Sequence, residues 1–271
     1  MTRISGRVLI IAGSDSGGGA GIQADIKTVT ALSAHAMTAV TAVTVQNTLG
    51  VTGVHPIPPE VVAAQIRAVM DDLGADCWKT GMLADSALVE LVAAEYDARA
   101  GGAPLVVDPV MIAKGGHALL ADDAVGVLRD ALVPRAAVLT PNAPEAARLV
   151  GFPVEDMAAQ QRAGAALLKL GARSVLVKGG HIAGPIVRDV FASADGIEAF
   201  EAPRIETRAT HGTGCTLASA IAAGLAQGMA ARDAIVRARS YVRAAILAAP
   251  GLGRGAGPLG HGWNAAPVAA E

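Results

Sequence analysis

Aromatic residues are scarce in this 271-residue chain: three Phe, two Trp and two Tyr make up 3% of it. A groove that stacks bases needs several exposed rings, so a base-stacking platform is excluded. Twenty-two basic against 24 acidic residues give no electrostatic footing for nucleic acid either. Cysteine is equally rare. Cys77 and Cys215 alone cannot form a disulfide framework or a multi-cysteine metal site. Long apolar runs are also missing. Val29–Pro59 and Ala209–Ala231 lack Asp, Glu, Lys and Arg, but the first holds Gln46, Asn47 and three prolines, and the second is mostly Ala and Gly. Neither reads as a spanning helix. Arg3 and Arg7 are followed by only five apolar residues before Gly13, too few for a signal peptide. A soluble, cytoplasmic protein with no membrane or nucleic-acid partner is expected.

Several fingerprints are absent as well. There is no G-x-x-x-x-G-K-[ST], no G-x-G-x-x-G at the first glycine turn, no G-x-S-x-G, no H-E-x-x-H and no C-x-x-C. P-loop, dinucleotide-binding, nucleophile-elbow and zincin chemistries lose their usual signatures.

What the chain does contain is aliphatic residues in a regular alternation. Short buried-strand runs are Val8–Ala12, Met37–Val45, Cys77–Lys79, Pro104–Asp108, Ala137–Thr140 and Ser174–Lys178. Helical spacing is found over Gly21–Leu32, from Pro59 to Leu73, and over Ser86–Ala100, Asp123–Leu132, Asn142–Val150 and Ala158–Leu170. Strands Ile186–Ala192 and Ile197–Glu201 follow one another and predict an antiparallel edge; helices Thr213–Gln227 and Ala231–Ala248 come next. Strand–helix repetition predicts an α/β fold with a mostly parallel sheet covered by helices on both faces. One domain over residues 1–271 is expected, with a core of about 7–248 and a poorly structured Gly/Pro-rich tail over 250–271.

Parallel sheets bind ligands beyond the carboxyl ends of their strands. Those ends here are Gly13-Ser14-Asp15, Gln46-Asn47, Lys79-Thr80-Gly81-Met82, Asp108-Pro109, Thr140-Pro141-Asn142 and Lys178-Gly179-Gly180. Six polar ends on one rim point to a site. Two glycine-rich segments, Ser16–Gly21 and His211–Cys215, precede helices, and such junctions offer free N–H groups to an anion.

These motifs occur in the order in which they stand in one family. Ile11–Asp25, Val45-Gln46-Asn47-Thr48, Lys79–Leu83, Val107–Met111, Thr140–Ala146, Val177–His181 and His211–Thr216 resemble those of hydroxymethylpyrimidine/phosphomethylpyrimidine kinases of thiamine biosynthesis. The resemblance runs from about residue 7 to residue 248. It implies a ribokinase-like fold, a three-layer α/β/α sandwich. It also implies ATP-dependent phosphorylation of 4-amino-5-hydroxymethyl-2-methylpyrimidine and then of its monophosphate, with Mg²⁺, room for a monovalent cation, and a homodimer.

Carried over residue by residue, the resemblance makes Gly212, Thr213 and Gly214 the anion hole and Cys215 the residue beside the attacking hydroxyl. A thiol at a helix N-terminus is expected to have a lowered pKa, which would suit a base; packing against the pyrimidine is the alternative. Asn142 and Glu145 resemble an N-x-x-E motif near magnesium and the nucleotide, though the same pair also suits a helix cap. Asp108 is a second candidate acid for the metal and ATP, and Lys178 would face the ATP phosphates. Gln46 can both donate to and accept from an aminopyrimidine edge. Asp25 and the Gly13 and Ala20 backbone resemble contacts around the hydroxymethyl group and ring, while Thr44, Met82 and Val110 would line the pocket. Lys114–His117 is expected to act as a flap. A pyridoxal kinase of the same superfamily is the nearest alternative; a non-catalytic binding module and a nicotinamide-dependent oxidoreductase are more distant.

Overall fold

The computed structural model describes residues 5–112 and 119–264. The expected flap at Lys114–His117 lies outside them. In chain order the elements are β1 (Arg7–Ser14), α1 (Gly21–Ala31), β2 (His35–Asn47), β3 (Gly50–Pro56), α2 (Pro59–Asp72) and β4 (Cys77–Thr80). Then come α3 (Ser86–Arg99), β5 (Leu105–Val107), α4 (Ala124–Ala131), β6 (Val138–Leu139), α5 (Ala143–Val150) and α6 (Met157–Lys169). Finally β7 (Ser174–Val177), β8 (Ile186–Ser193), β9 (Gly196–Pro203), α7 (Thr213–Ala226) and α8 (Ala231–Leu247) complete the fold.

The strands form one sheet in the order β3-β2-β1-β4-β5-β6-β7-β8-β9. β2, β1, β4, β5, β6 and β7 are parallel; β3 pairs antiparallel with β2 at one end, and at the other β8 pairs antiparallel with both β7 and β9. The aliphatic runs explain the centre. Successive side chains of a strand point to opposite faces, and β1 is apolar from Val8 to Ala12 because both faces are covered there. Leu9 and Ile11 enter one cluster with α2, α3, α4, α5 and α6; Val8, Ile10 and Ala12 enter the other with α1, α7 and α8. Each such fully buried Val, Leu or Ile side chain contributes roughly 1.5–3 kcal/mol.

Sequence order reverses at β1, where β2 lies on one side and β4 on the other. The crevice beyond the carboxyl ends of β1 and β4 is therefore the switch point at which this fold class binds ligands. α7 is built to reach it. Thr216 to Gly224 are all buried, and Ala or Gly at five of those nine positions lets the helix lie close to the sheet and to α8. A Cβ on Gly224 would come within 2.7 Å of the Ala234 Cβ.

Two parts of the fold differ from the sequence reading. β2 runs past Val45 to Asn47, and the chain turns back as β3, where no strand is expected. Gly50, Gly53 and Pro56 are poor strand residues, but an edge strand needs partners on one side only. The tail is the second difference. Ala256 N–H donates to Thr48 O at 2.9 Å, His211 N–H to Gly257 O at 3.1 Å, and Gly260 N–H to Ala245 O at 2.9 Å. Leu259 and His261 are buried. The tail is thus a strap binding the β2–β3 turn, the segment before α7, and α8.

His261 makes that strap pH-sensitive. Its ring lies 2.9 Å from Thr216 Oγ1, and burial, aided by the nearby Lys27 cation, pushes its pKa down to about 4. The unfolded chain binds this proton near pH 6.5 and the folded chain near 4, so stability is present above 6.5 and lost as pH falls towards 4. Trp263, packed 6.1 Å from the Tyr241 ring, reports the docking. Its fluorescence is expected to change between pH 6.5 and 4, and His261→Gln should flatten that change.

Candidate active site

A cavity of about 720 Å³ opens beyond the carboxyl ends of the central strands. All six polar strand ends contribute to its wall, the one at β6 through Asn142. Gly13, Ala20, Thr44, Gln46, Met82 and Val110 line one end; Asp108, Asn142, Glu145 and Lys178 line the middle; Gly212 to Cys215 form the floor. An apolar wall of Val187, Ala202, Ile205, Val242 and Ile246 closes the far end.

The two glycine-rich turns lock together. Gly212 is the N-cap of α7 with φ +78°, and a Cβ there would lie 1.8 Å from the Gly19 carbonyl oxygen. Gly21 has φ +54°, and its Cβ would meet the Gly13 carbonyl oxygen at 2.3 Å. Neither position tolerates a side chain. Gly212→Ala is expected to cost about 1–3 kcal/mol from backbone strain alone, and more from the displaced turn, as read from urea unfolding midpoints. The open start of α7 leaves backbone N–H groups facing the cavity, a favourable setting for an anion.

Three polar clusters surround that floor. In the first, Lys79 is fully buried and its Nζ lies 2.8 Å from Asp25 Oδ2, while Ser219 Oγ donates to Asp25 Oδ1 at 2.7 Å. Burial works against the Lys79 charge, but the Asp25 carboxylate, aided by Asp108, outweighs it and holds the ammonium protonated. Asp25 is expected from the sequence to touch the substrate. Instead it is fully buried behind the wall, and Lys79 is the member of the pair that reaches the cavity.

Cys215 also departs from expectation. It faces the cavity, with the Gly21 N–H directed at its sulfur. Yet burial, reinforced by Asp25 and Asp108 and opposed by Lys79, pushes the thiol up to about 12. Desolvation outweighs the helix terminus, so the residue rests as a thiol.

In the second cluster Lys178 Nζ lies 3.0 Å from Asp108 Oδ1 and Thr140 Oγ1 donates to the same oxygen at 3.2 Å. The lysine is not a loose rim charge: its side chain is only 12% exposed. A Cβ on Gly214 would approach its Nζ to 3.3 Å, so the ammonium sits over the start of α7. Asn142 and Glu145 form the capping box of α5. Asn142 Oδ1 accepts from Glu145 N–H at 2.9 Å, and Glu145 Oε2 accepts from Asn142 N–H at 2.8 Å. Burial raises Glu145 to about 7, with Lys178 opposing and Asp108 adding to the shift.

The third cluster joins Asp15, His211, Gln46 and Thr44. Asp15 Oδ2 lies 2.8 Å from His211 Nε2. Burial would raise this carboxyl, but the His211 hydrogen bond and the Ala20 and Gly17 N–H groups hold it below the usual carboxylate range. Sequence reasoning names Lys79, Asp15 and His211 only as neighbours in motifs. Their partners lie 54 and 196 residues away, and no local signal pairs them.

Residues 15–260 match the family model for phosphomethylpyrimidine kinase. The chain belongs to the phosphomethylpyrimidine kinase family. Among relatives, the hydroxymethylpyrimidine/phosphomethylpyrimidine kinase of Streptomyces coelicolor is 51% identical over 257 residues, 94% of each chain. Among solved structures, an ADP complex of Bacillus subtilis pyridoxal kinase superposes with a TM-score of 0.88 at 35% identity, covering 95% of this chain and 97% of that one. A phosphomethylpyrimidine kinase from Clostridium difficile gives a TM-score of 0.78 at 36% identity, covering 88% and 97%. As a phosphomethylpyrimidine kinase family member the chain is a phosphotransferase, and the cavity described above brings Lys79 and Lys178 to the start of α7.

Proposed function

We propose that this enzyme transfers the γ-phosphoryl group of ATP to 4-amino-5-hydroxymethyl-2-methylpyrimidine and then to the resulting monophosphate, in thiamine diphosphate biosynthesis. One observation carries the reading: an amide suited to an aminopyrimidine, Gln46, opens on the same cavity as the anion-binding start of α7. The chain acts as a single ribokinase-like domain over 1–271, a three-layer α/β/α sandwich; the two apolar clusters on opposite faces of the sheet support this. ATP lies with its base against Val187, Ile205 and Val242 and its phosphates towards Lys178 and the Thr213–Cys215 N–H groups. Lys178 and those N–H groups stabilise the charge that develops on the transferred group.

Magnesium suits this donor set. Glu145 and Asp108 are oxygen ligands beside the phosphate cations, and among the described residues no group of three His, Cys, Asp or Glu forms a dedicated cage. An ion completed by phosphate oxygens is the expected mode, and it would neutralise phosphate charge. Asn142 holds Glu145 through the cap and borders the nucleotide.

At the acceptor end Gln46 reads the amine and ring nitrogen, with Gly13, Ala20, Thr44, Met82 and Val110 forming the walls. Cys215 orients the attacking hydroxyl as a neutral thiol. A loose phosphoryl transition state asks chiefly for positioning and charge stabilisation. Asp25 acts from behind, fixing the Lys79 ammonium near the sulfur. Cys215→Ala is therefore expected to slow single-turnover transfer by about 10–100-fold, less than the roughly 10²–10⁴-fold that a general acid or base contributes. The pH–rate profile between 6 and 9 should keep its shape in the variant.

The enzyme is proposed to be cytoplasmic; among the described residues no helix is long and apolar enough to cross a membrane. It is proposed to be a homodimer. Val43, Val45 and Leu49 are all exposed beside the edge strand β3, an apolar edge that a second copy would cover.

The pyridoxal kinase likeness favours one alternative, phosphorylation of pyridoxal. Pyridoxal has no amine for Gln46 to read. Comparing kcat/KM for the two acceptors tests the choice: the pyrimidine is expected to win by tenfold or more, and the reverse preference overturns the reading.

A further inference from the structure

The Gln46 amide touches two polar groups whose hydrogen-bonding roles are set by other partners. Measured with Nε2 towards His211, it lies 3.3 Å from His211 Nε2 at one end and 3.2 Å from Thr44 Oγ1 at the other. His211 Nε2 faces Asp15 Oδ2 at 2.8 Å. Asp15 is buried and accepts from the N–H groups of Gly17, Gly19 and Ala20, an environment that keeps it ionised. An ionised carboxylate can only accept, so the ring nitrogen facing it carries the hydrogen. Thr44 has a single hydroxyl hydrogen and gives it to the Ser14 carbonyl at 2.7 Å. Towards Gln46 it offers lone pairs only.

The single His211 N–H is shared between Asp15 at 2.8 Å and the amide at 3.3 Å, and the nitrogen bearing it has no lone pair to offer; with lone pairs alone on Thr44, this decides which way the amide stands. Its oxygen belongs at the His211 end and its NH₂ at the Thr44 end. The opposite setting would oppose N–H to N–H and lone pair to lone pair. The two ends of a carboxamide have the same shape, so their partners choose between them.

We propose that the Asp15–His211 pair and Thr44 lock the Gln46 amide in this sense, and thereby set both the ring edge the site accepts and the way round the ring lies. The inference rests on the aminopyrimidine reading given above. An exocyclic amine then donates to Oε1 on the His211 side, and the adjacent ring nitrogen accepts from Nε2 on the Thr44 side. The hydroxymethyl group sits on the ring carbon beyond the amine, so it extends past His211. The chain itself continues from His211 into Gly212–Cys215, where the phosphoryl group is received. With the amide reversed the ring would be read turned over, its hydroxymethyl pointing away from that turn. His211 and Asp15 are positioning residues, since they act through Gln46. The tail strap holds His211 in register through the Gly257 carbonyl.

The test is a ratio, which cancels losses common to both substrates. The 4-oxo analogue of the pyrimidine presents a ring N–H beside a carbonyl, the same edge with donor and acceptor exchanged. For the unaltered enzyme kcat/KM is expected to favour the 4-amino ring by at least about 100-fold. His211→Leu frees the amide to rotate, and the ratio should fall below about tenfold. Asp15→Asn can donate to the ring nitrogen, shift its hydrogen and weaken or invert the preference, which keeps the proposal testable should the leucine variant not fold. His211→Gln retains a donor towards both partners and should restore most of the ratio. An unchanged ratio in both His211→Leu and Asp15→Asn overturns the proposal, as does an unaltered enzyme with no preference that still phosphorylates the 4-amino ring. An enzyme that does not phosphorylate the 4-amino ring at all overturns the functional reading itself, and the proposal with it.

Discussion

Lys79→Met is expected to destabilise the protein by about 3–5 kcal/mol. Lys79 and Asp25 are both fully buried and 2.8 Å apart. Removing one partner leaves an uncompensated carboxylate in an apolar interior, and this costs far more than the pair contributes when intact. The Ser219 hydroxyl, which donates to the other Asp25 oxygen at 2.7 Å, cannot replace a full charge. Urea unfolding at pH 7.5 measures the loss. A double variant, Lys79→Met with Asp25→Leu, should regain much of the stability while staying inactive, because apolar side chains can replace a buried pair without replacing its field. A single variant within about 1 kcal/mol of the unaltered protein would contradict this account.

The second large effect separates activity from stability. Glu145→Gln is expected to lower kcat/KM for Mg-ATP by at least about 100-fold, more than the roughly 10–100-fold lost when a group that only supports a metal ligand is removed. The same change should stabilise the protein at pH 8. Glu145 ionises near 4.5 in the unfolded chain and near 7 in the folded one. Between these values the native state binds more protons, so stability falls as pH rises through that window. Glutamine cannot ionise, and its amide oxygen still accepts from Asn142 N–H, as Glu145 Oε2 does at 2.8 Å. Thermal midpoints from pH 4 to 8 should therefore converge below 4.5 and diverge in favour of the variant above 7. Such opposition between a strained, functional carboxylate and stability is the common pattern at active sites.

How much of this could be read from the sequence depends on whether the signal is local. β1, β5 and β7 are legible because strands buried on both faces need consecutive aliphatic residues, and the polar residues that end them mark the rim of the cavity. Asn142 and Glu145 are legible as a cap because three residues separate them. β3 is not, since its glycines and proline contradict strand propensity and only pairing with β2 makes it a strand. The tail looks like a linker by composition. Its order comes from contacts to Thr48, His211 and Ala245, all distant in sequence. The same reason hides the burial of Lys79 and the pairing of Asp15 with His211. Cys215 shows the limit of a local rule: a helix start favours the thiolate, but desolvation by the assembled site decides against it.

The most direct measurement of the central claim is product identification. The purified protein, mixed with Mg-ATP and 4-amino-5-hydroxymethyl-2-methylpyrimidine, is sampled over time by mass spectrometry. The monophosphate should appear first and the diphosphate after it, with one ADP released per phosphate added. No phosphorylated pyrimidine under conditions where pyridoxal is phosphorylated would contradict the account.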